Sequence, residues 1–422
     1  MKLHRIETKD LIFILLVFYP ILPVNKYIGS LSLSNIDAML IVGVYFFSNR
    51  NVVKVYRYNL LHWLYLIVYA MYCFITTSAM TGIAWMFTTL FVSVVIISVI
   101  RDENDIQRCI NGLAIGSLLL SVIGIIETVT STYLIQEELY TEWSDSLRYG
   151  LFRCAGPFGH PINFAFFQAV VALILFHQLK TKQLTRRQIR RYVLVYILAV
   201  VSMTCTVSRL PICFFFAAQS IYILQMGVKK ALRYFLIAVL SLIGFLIVAE
   251  VCGISAFSFI FDLYASLLKL FGLGSQIDYS TVKGFGNRVD LYSWVIDAVG
   301  KKWLFGKGVN ATFAYQMTSW FTKTSIEVHY LYIYFKCGVT GVFFLVGGYL
   351  STLLFLRKSK KMLCEVDYRR SFIRILSIIF PLYYICLFGV QETDTTRIMC
   401  EIIAIGIASV RCANLEKGGA HV

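Results

Sequence analysis

Five residues carry most of the chemistry this chain offers. Arg153, Arg209 and Arg288 are cations of the kind that holds phosphate: always charged, planar, and able to donate two hydrogen bonds to one oxyanion. Glu327 and His329, two positions apart, are candidate bases. A histidine has an unperturbed pKa of about 6.5, and burial raises a glutamate towards the same range. His160, Asn163 and Ser208 stand close in sequence to two of the arginines and add hydrogen-bonding groups. Such a set suits transfer chemistry on an anionic, lipid-linked substrate. The cations steady a departing phosphate, and the base takes a proton from an incoming hydroxyl.

The elements that must position these residues are membrane helices. The chain has 422 residues, 58% of them hydrophobic and only 15% charged, with a mean hydropathy of +0.72. Apolar runs of roughly 16–22 residues recur along its length, each long enough to cross the hydrocarbon core as a helix. They lie near 11–27, 36–47, 60–78, 83–99, 110–129, 162–177, 192–207, 210–226, 234–251, 330–356, 373–390 and 398–410. The expected fold is an all-α polytopic integral membrane protein, a single domain over 1–422 with about 12 transmembrane helices. The first run lacks a small-residue cleavage site and reads as a signal anchor.

Lys and Arg alternate between the short loops. They concentrate at the N-terminus, around Arg50–Arg57, Arg101–Arg108, Lys180–Arg191, Lys229–Arg233 and Arg357–Arg370, and are sparse in the intervening loops. By the positive-inside rule both termini are expected in the cytoplasm, with the candidate residues grouped at the opposite, external face. The net charge of +16 then reflects topology and attraction to anionic lipid head groups rather than nucleic-acid binding. Most of the 11 cysteines lie in apolar runs, and no Cys/His cluster has metal-ligand spacing. Cys154 and Cys252 share the external face, but nothing in the sequence brings them together.

Two external loops stand out, 131–160 and the much longer 252–328, and loops of such length are commonly functional. Residues 255–271 place Phe257, Ile260, Phe261, Tyr264, Leu267, Leu268 and Phe271 on one helical face, the pattern of a helix lying in the membrane interface. A second helix is expected over 288–301, with Asn287 as N-cap, and Val289, Tyr292, Ile296 and Val299 as its apolar stripe. That puts Arg288 in the first turn, where helix amides and dipole favour an anion. Plainer readings stand beside these. Arg288 can be a solvated charge, Arg209 can snorkel at a span end, Arg153, His160 and Asn163 can brace a loop, and Glu327 or His329 can cap the next helix.

Four stretches together resemble the O-antigen polymerase/ligase family of bacterial envelope glycosyltransferases. They are Arg153-Cys-Ala-Gly-Pro-Phe-Gly-His-Pro-Ile-Asn163, then Val207-Ser208-Arg209. Asn287-Arg288 with Trp294 and Leu304-Phe-Gly-Lys-Gly308 follows, and last comes Ser325-Ile-Glu-Val-His-Tyr-Leu-Tyr332 with Gly338-Val-Thr-Gly341. They stand in the family's order and cover about 150–345 as motifs. The resemblance, closer to the polymerases, implies glycosyl transfer at the periplasmic face of the bacterial inner membrane. The donor would be a glycan on undecaprenyl pyrophosphate, and neither cofactor nor metal would be required. Membrane lipid and a chain-length regulator protein are among the partners it implies. It places Arg288 with the base as catalytic, and Arg153, Arg209, His160, Asn163 and Ser208 at the substrate. The chain departs from the family in one place: Glu327 occupies the register of the usual His or Asp, and His329 stands two residues later. The base is Glu327, His329 or neither. Two alternatives remain, an O-antigen ligase acting on a lipid A core and, in a different class, an exporter of lipid-linked oligosaccharide.

Overall fold

The computed structural model describes residues 8–23, 27–28, 31–48, 60–76, 79–135, 147–148, 150–158, 160–227, 229, 232, 286–318, 321–323, 325–363, 367, 370–390 and 394–416. The chain is mainly helical there. In order the helices are α1 (Thr8–Phe18), α2 (Leu33–Ser48), α3 (Leu60–Thr76), α4 (Ala79–Trp85), α5 (Val92–Val99), α6 (Glu103–Thr130) and α7 (Pro161–Thr181). They continue with α8 (Arg186–Cys205), α9 (Arg209–Leu224), α10 (Gly286–Val299), α11 (His329–Met362), α12 (Phe372–Cys386) and α13 (Asp394–Glu416). A π-helical segment, Met86–Phe91, joins α4 to α5 as one rod. Small antiparallel hairpins interrupt the helical pattern at Tyr27–Ile28/Leu31–Ser32, Leu147–Arg148/Leu151–Phe152 and Tyr315–Thr318/Phe321–Lys323.

Among the described residues, five helical stretches are long and apolar enough to cross a membrane: Gly82–Val99, Glu103–Thr130, Pro161–Thr181, Arg186–Cys205 and His329–Met362. Leu33–Phe47, Trp63–Thr76, Arg209–Leu224 and Phe372–Cys386 are shorter apolar helices. The expected span at 234–251 and the interfacial helix at 255–271 lie outside the described residues.

Burial separates centre from periphery. The apolar window of α7 is 89% buried, and α6, α8, α9, α12 and α13 pack around it. Its start is well defined: His160 is the N-cap, its Nδ1 accepting from the Ile162 N–H at 3.0 Å, and Pro161 takes the first helical position, where no N–H is needed. α11 is peripheral. Val339, Phe343, Val346, Leu350 and Leu354 are all exposed, and steps of three and four put them on one stripe. An apolar stripe left exposed is what a lipid-facing helix requires.

Two expectations need correction. The first apolar run is not one span over 11–27, because α1 ends at Phe18 and turns follow. Pro20 and Pro23 stand there, and proline removes the amide and crowds the preceding turn. The helix of the long loop starts at Gly286, so Asn287 lies inside it rather than capping it. Its buried stripe is Leu291, Val295 and Val299, while Tyr292 and Ile296 are exposed. The true face follows the four-residue step through Leu291, which packs with Phe313, Ile326, Val328, Leu331 and Phe335.

Candidate functional site

Arg153 is 5% exposed and immediately follows the Leu151–Phe152 strand. Its Nε donates to the Thr206 carbonyl at 3.0 Å and its Nη2 to Ser208 Oγ at 3.2 Å. One planar side chain therefore ties the 153–163 stretch to the turn between α8 and α9, which its fork geometry permits and an ammonium would not. That turn is strained. Val207 has φ of 51°, an outlier for a β-branched residue, and is held between Thr206 and Ser208, both buried. Such strain persists where surroundings over-determine it, often at functional sites.

The turn aims the start of α9. Ser208 is its N-cap residue but makes no side-chain cap bond, because Ser208 Oγ instead donates to the Thr206 carbonyl at 3.3 Å and accepts from Arg153. Arg209 follows, half-buried, as the first helical residue. A helix start without a side-chain cap, one arginine in its first turn and a second behind its N-cap concentrate positive potential.

The chain segment carrying Arg153 rests on a residue that the sequence did not mark. Glu127, near the end of α6, is fully buried. Its Oε2 accepts from the Ala155 N–H at 3.0 Å and the Gly156 N–H at 2.9 Å, and Oε1 accepts from the Leu134 N–H at 3.1 Å. A carboxylate so placed replaces the missing backbone partners of an irregular segment. Cys154, expected on the external face, is a buried free thiol against the Ser202 carbonyl; Cys252 lies outside the described residues.

The other two stretches also meet. α11 breaks at Gly338, whose backbone is non-helical with φ of 67° and ψ of −165°. The Trp303–Gly308 segment fits into the break. Lys307 and Gly308 donate their N–H groups to the carbonyls of Phe335 and Lys336 at 2.8 and 3.0 Å, and Val339 and Thr340 donate to Trp303 and Leu304 at 2.9 and 3.2 Å. Helix breaks at membrane depth are tolerated where the freed groups find such partners. Lys336, a cation within the apolar run 330–356, donates to the carbonyls of Val309 and Ala311, each at 2.5 Å. Tyr72 of α3 donates to the Phe305 carbonyl.

Just upstream of the break, His329 opens α11 and is 5% exposed. Its N–H is shared between the carbonyls of Leu387 and Val390 at 3.1 Å each, which docks this corner on the end of α12. Glu327 is half-buried and thus the more accessible of the two. α12 also packs on α9 and α7, with Tyr383 against Phe166 at 5.7 Å. The end of α12 thus carries the Glu327–His329 corner, and its Tyr383 meets Phe166 in the second turn of α7. Lys9, Asp105, Glu103 and Lys182 pair beyond the opposite end of α7, Lys9 with Asp105 at 2.6 Å. Arg153 and Ser208 are in direct contact, and His160 and Asn163 start the adjoining α7. Asn163 is buried there. Arg288 lies in the first turn of α10 as expected, and its side chain lies outside the described residues. Arg397 lies in the first turn of α13.

No protein-family model matches the chain, and no curated protein matches it significantly.

Proposed function

We propose that this protein is a metal-independent glycosyltransferase that joins oligosaccharide units carried on undecaprenyl pyrophosphate, a surface-polysaccharide polymerase working at the periplasmic face of a bacterial inner membrane. The observation that carries the reading is Arg153 on Ser208 at the start of α9, with Arg209 beside it. The arrangement suits a pyrophosphate: Arg153 sits on the N-cap residue Ser208, and Arg209 is the first helical residue, so two arginines belong to one helix start. In the reaction an acceptor sugar hydroxyl attacks the donor's anomeric carbon. The bond from that carbon to the pyrophosphate oxygen breaks, and undecaprenyl pyrophosphate leaves as an anion. A leaving group already ionised needs charge stabilisation more than a proton, which Arg153, Arg209 and Arg288 supply. The hydroxyl proton goes to Glu327, the accessible base, while buried His329 positions the segment. Exposed Trp303 (54%) offers a stacking face for sugar.

The test is the length distribution of surface glycan in a strain lacking the gene. A core with one repeat and no ladder supports the polymerase. A bare core, with long glycan retained on its carrier, would place the same chemistry in a ligase. Repeat units stranded at the cytoplasmic face would overturn the enzyme reading in favour of an exporter.

A further inference from the structure

We propose that the outer face of α8 binds an acidic phospholipid carrying two phosphate groups, at a site apart from the transfer site. α8 is the least enclosed of the long apolar helices, with 28% of its apolar window buried against 89% for α7. One side of it is fixed to the protein. The Tyr192 hydroxyl accepts from Gln107 Nε2 at 2.5 Å and donates to Asn111 Oδ1 at 2.6 Å, both on α6, and Val195, Ala199 and Ser202 are buried on that side. The other side carries charge and apolar surface in register. Arg186, Arg187, Arg190 and Arg191 occupy the first two turns, all exposed. Leu194, Ile197 and Val201 follow, exposed by 54%, 50% and 41%. At 3.6 residues per turn, Arg186, Arg190, Leu194, Ile197 and Val201 fall within roughly a quarter-turn of the helix surface, with Arg187 and Arg191 on its flank.

The arginine cluster is electrostatically incomplete. Arg186/Arg190 and Arg187/Arg191 are like charges one turn apart, an unfavourable spacing, and they stand at the positive end of the helix dipole. No ion pair among the described residues involves any of the four. The described carboxylates at the same end of the bundle are engaged elsewhere. Asp10 pairs with Arg108, Glu103 with Lys182 and Asp105 with Lys9, while Asp102 caps α6 and Asp367 lines a cleft with Arg370. Glu7, Glu365 and the Glu416 side chain lie outside the described residues, and three carboxylates could not neutralise four arginines. Lys229, exposed beyond α9, adds to the excess.

The shape of this surface decides the occupant. The amides at the helix start are not available to an anion, because Thr185 and Gln188 form a capping box. The Gln188 N–H donates to Thr185 Oγ1 at 3.3 Å, and the Thr185 N–H donates to Gln188 Oε1 at 2.9 Å. Recognition therefore falls to the guanidinium groups, which grip phosphate oxygens bidentately. Each pair one turn apart, with Cβ atoms roughly 5–6 Å from one another, spans one phosphate, so two pairs take two. From Arg190 to Val201 the strip holds no polar residue. A soluble polyphosphate would leave it bare, whereas acyl chains cover it. Two phosphates on a short linker with attached acyl chains, as in cardiolipin, satisfy both halves of the face.

The experiment titrates lipid into the full-length protein in detergent and counts bound molecules by native mass spectrometry, with cardiolipin and phosphatidylglycerol as probes. Wild type is expected to retain one cardiolipin at a concentration about tenfold below that needed for phosphatidylglycerol, in keeping with an added charged hydrogen bond. Arg186→Gln/Arg190→Gln should lose that preference. Lys301→Gln/Lys302→Gln, which removes the same charge from an exposed pair elsewhere, should keep it. Equal affinity of wild type for the two lipids overturns the proposal. So does equal weakening by the two double variants, which would reduce the attraction to net charge. A photoactivatable cardiolipin locates the site in wild type alone: label on 186–201 supports the proposal, and label confined to other segments sinks it.

Discussion

Gly338 packs directly on Leu304: a Cβ at Gly338 would overlap the Leu304 carbonyl, and the Thr340 hydroxyl donates to that same oxygen at 3.0 Å. The approach is mutual, since a Cβ on Gly306 would come within 2.5 Å of the Lys336 carbonyl group. Gly338→Ala therefore meets both a forbidden backbone conformation and an occupied space. It is expected to cost about 1–3 kcal/mol, read as a lower thermal midpoint in detergent. A midpoint equal to wild type would contradict this packing.

Lys336→Met keeps the aliphatic length but leaves the Val309 and Ala311 carbonyls without their donor. A loss of about 1–2 kcal/mol is expected, because Lys336 is only half-buried and water partly compensates. The 303–311 segment should also become more accessible to protease, which limited proteolysis would reveal.

Glu127→Gln replaces an acceptor-only carboxylate with an amide whose NH₂ meets backbone N–H groups. The cost is about 1.5–3 kcal/mol, and the 153–158 segment should loosen. Cys154, fully buried in wild type, is expected to gain reactivity towards maleimide, which site-resolved mass spectrometry would measure.

Arg153→Lys retains the charge but cannot serve the Thr206 carbonyl and Ser208 Oγ together. Transfer by purified protein should fall about ten- to a hundredfold, from the usual worth of a charged hydrogen bond. Arg153→Ala should fall further. Equal activity of Arg153→Lys and wild type would reduce Arg153 to a simple counter-charge.

Glu327→Gln is expected to lower kcat by about 10²–10⁴-fold with KM little changed, the range for removing a general base. His329→Gln should act mainly on stability, given its burial and the docking of its amide on α12. The reverse ranking would assign the base to His329.

Of the roughly 12 expected spans, the five that the described residues show as long apolar helices were legible because such segments declare themselves by length and apolarity. The central place of α7 was less so, since lipid and protein interior select the same side chains; only Asn163, Gln168, His177 and Gln178, all buried, hint that it faces protein throughout. The pairing of 153–163 with 206–209 was legible as order and sidedness, not as the Arg153–Ser208 bond. Glu127 was missed although it is a rare carboxylate in an apolar run, because its partners are backbone amides that carry no sequence signal. The face of α10 was misread because Tyr292 and Ile296 are apolar yet exposed.

Chain order gives the break in α11 a consequence for biogenesis. Trp303–Gly308 leave the ribosome before Gly338, so the groups that complete the break precede the helix they complete. α7 contains its own backbone partners and is a finished unit for the insertion machinery. α11 is not: transplanted alone into a reporter, it carries unpaired amides and carbonyls into lipid at mid-helix and inserts less efficiently than its hydropathy indicates. Supplying 286–311 ahead of it restores the missing half of the ladder.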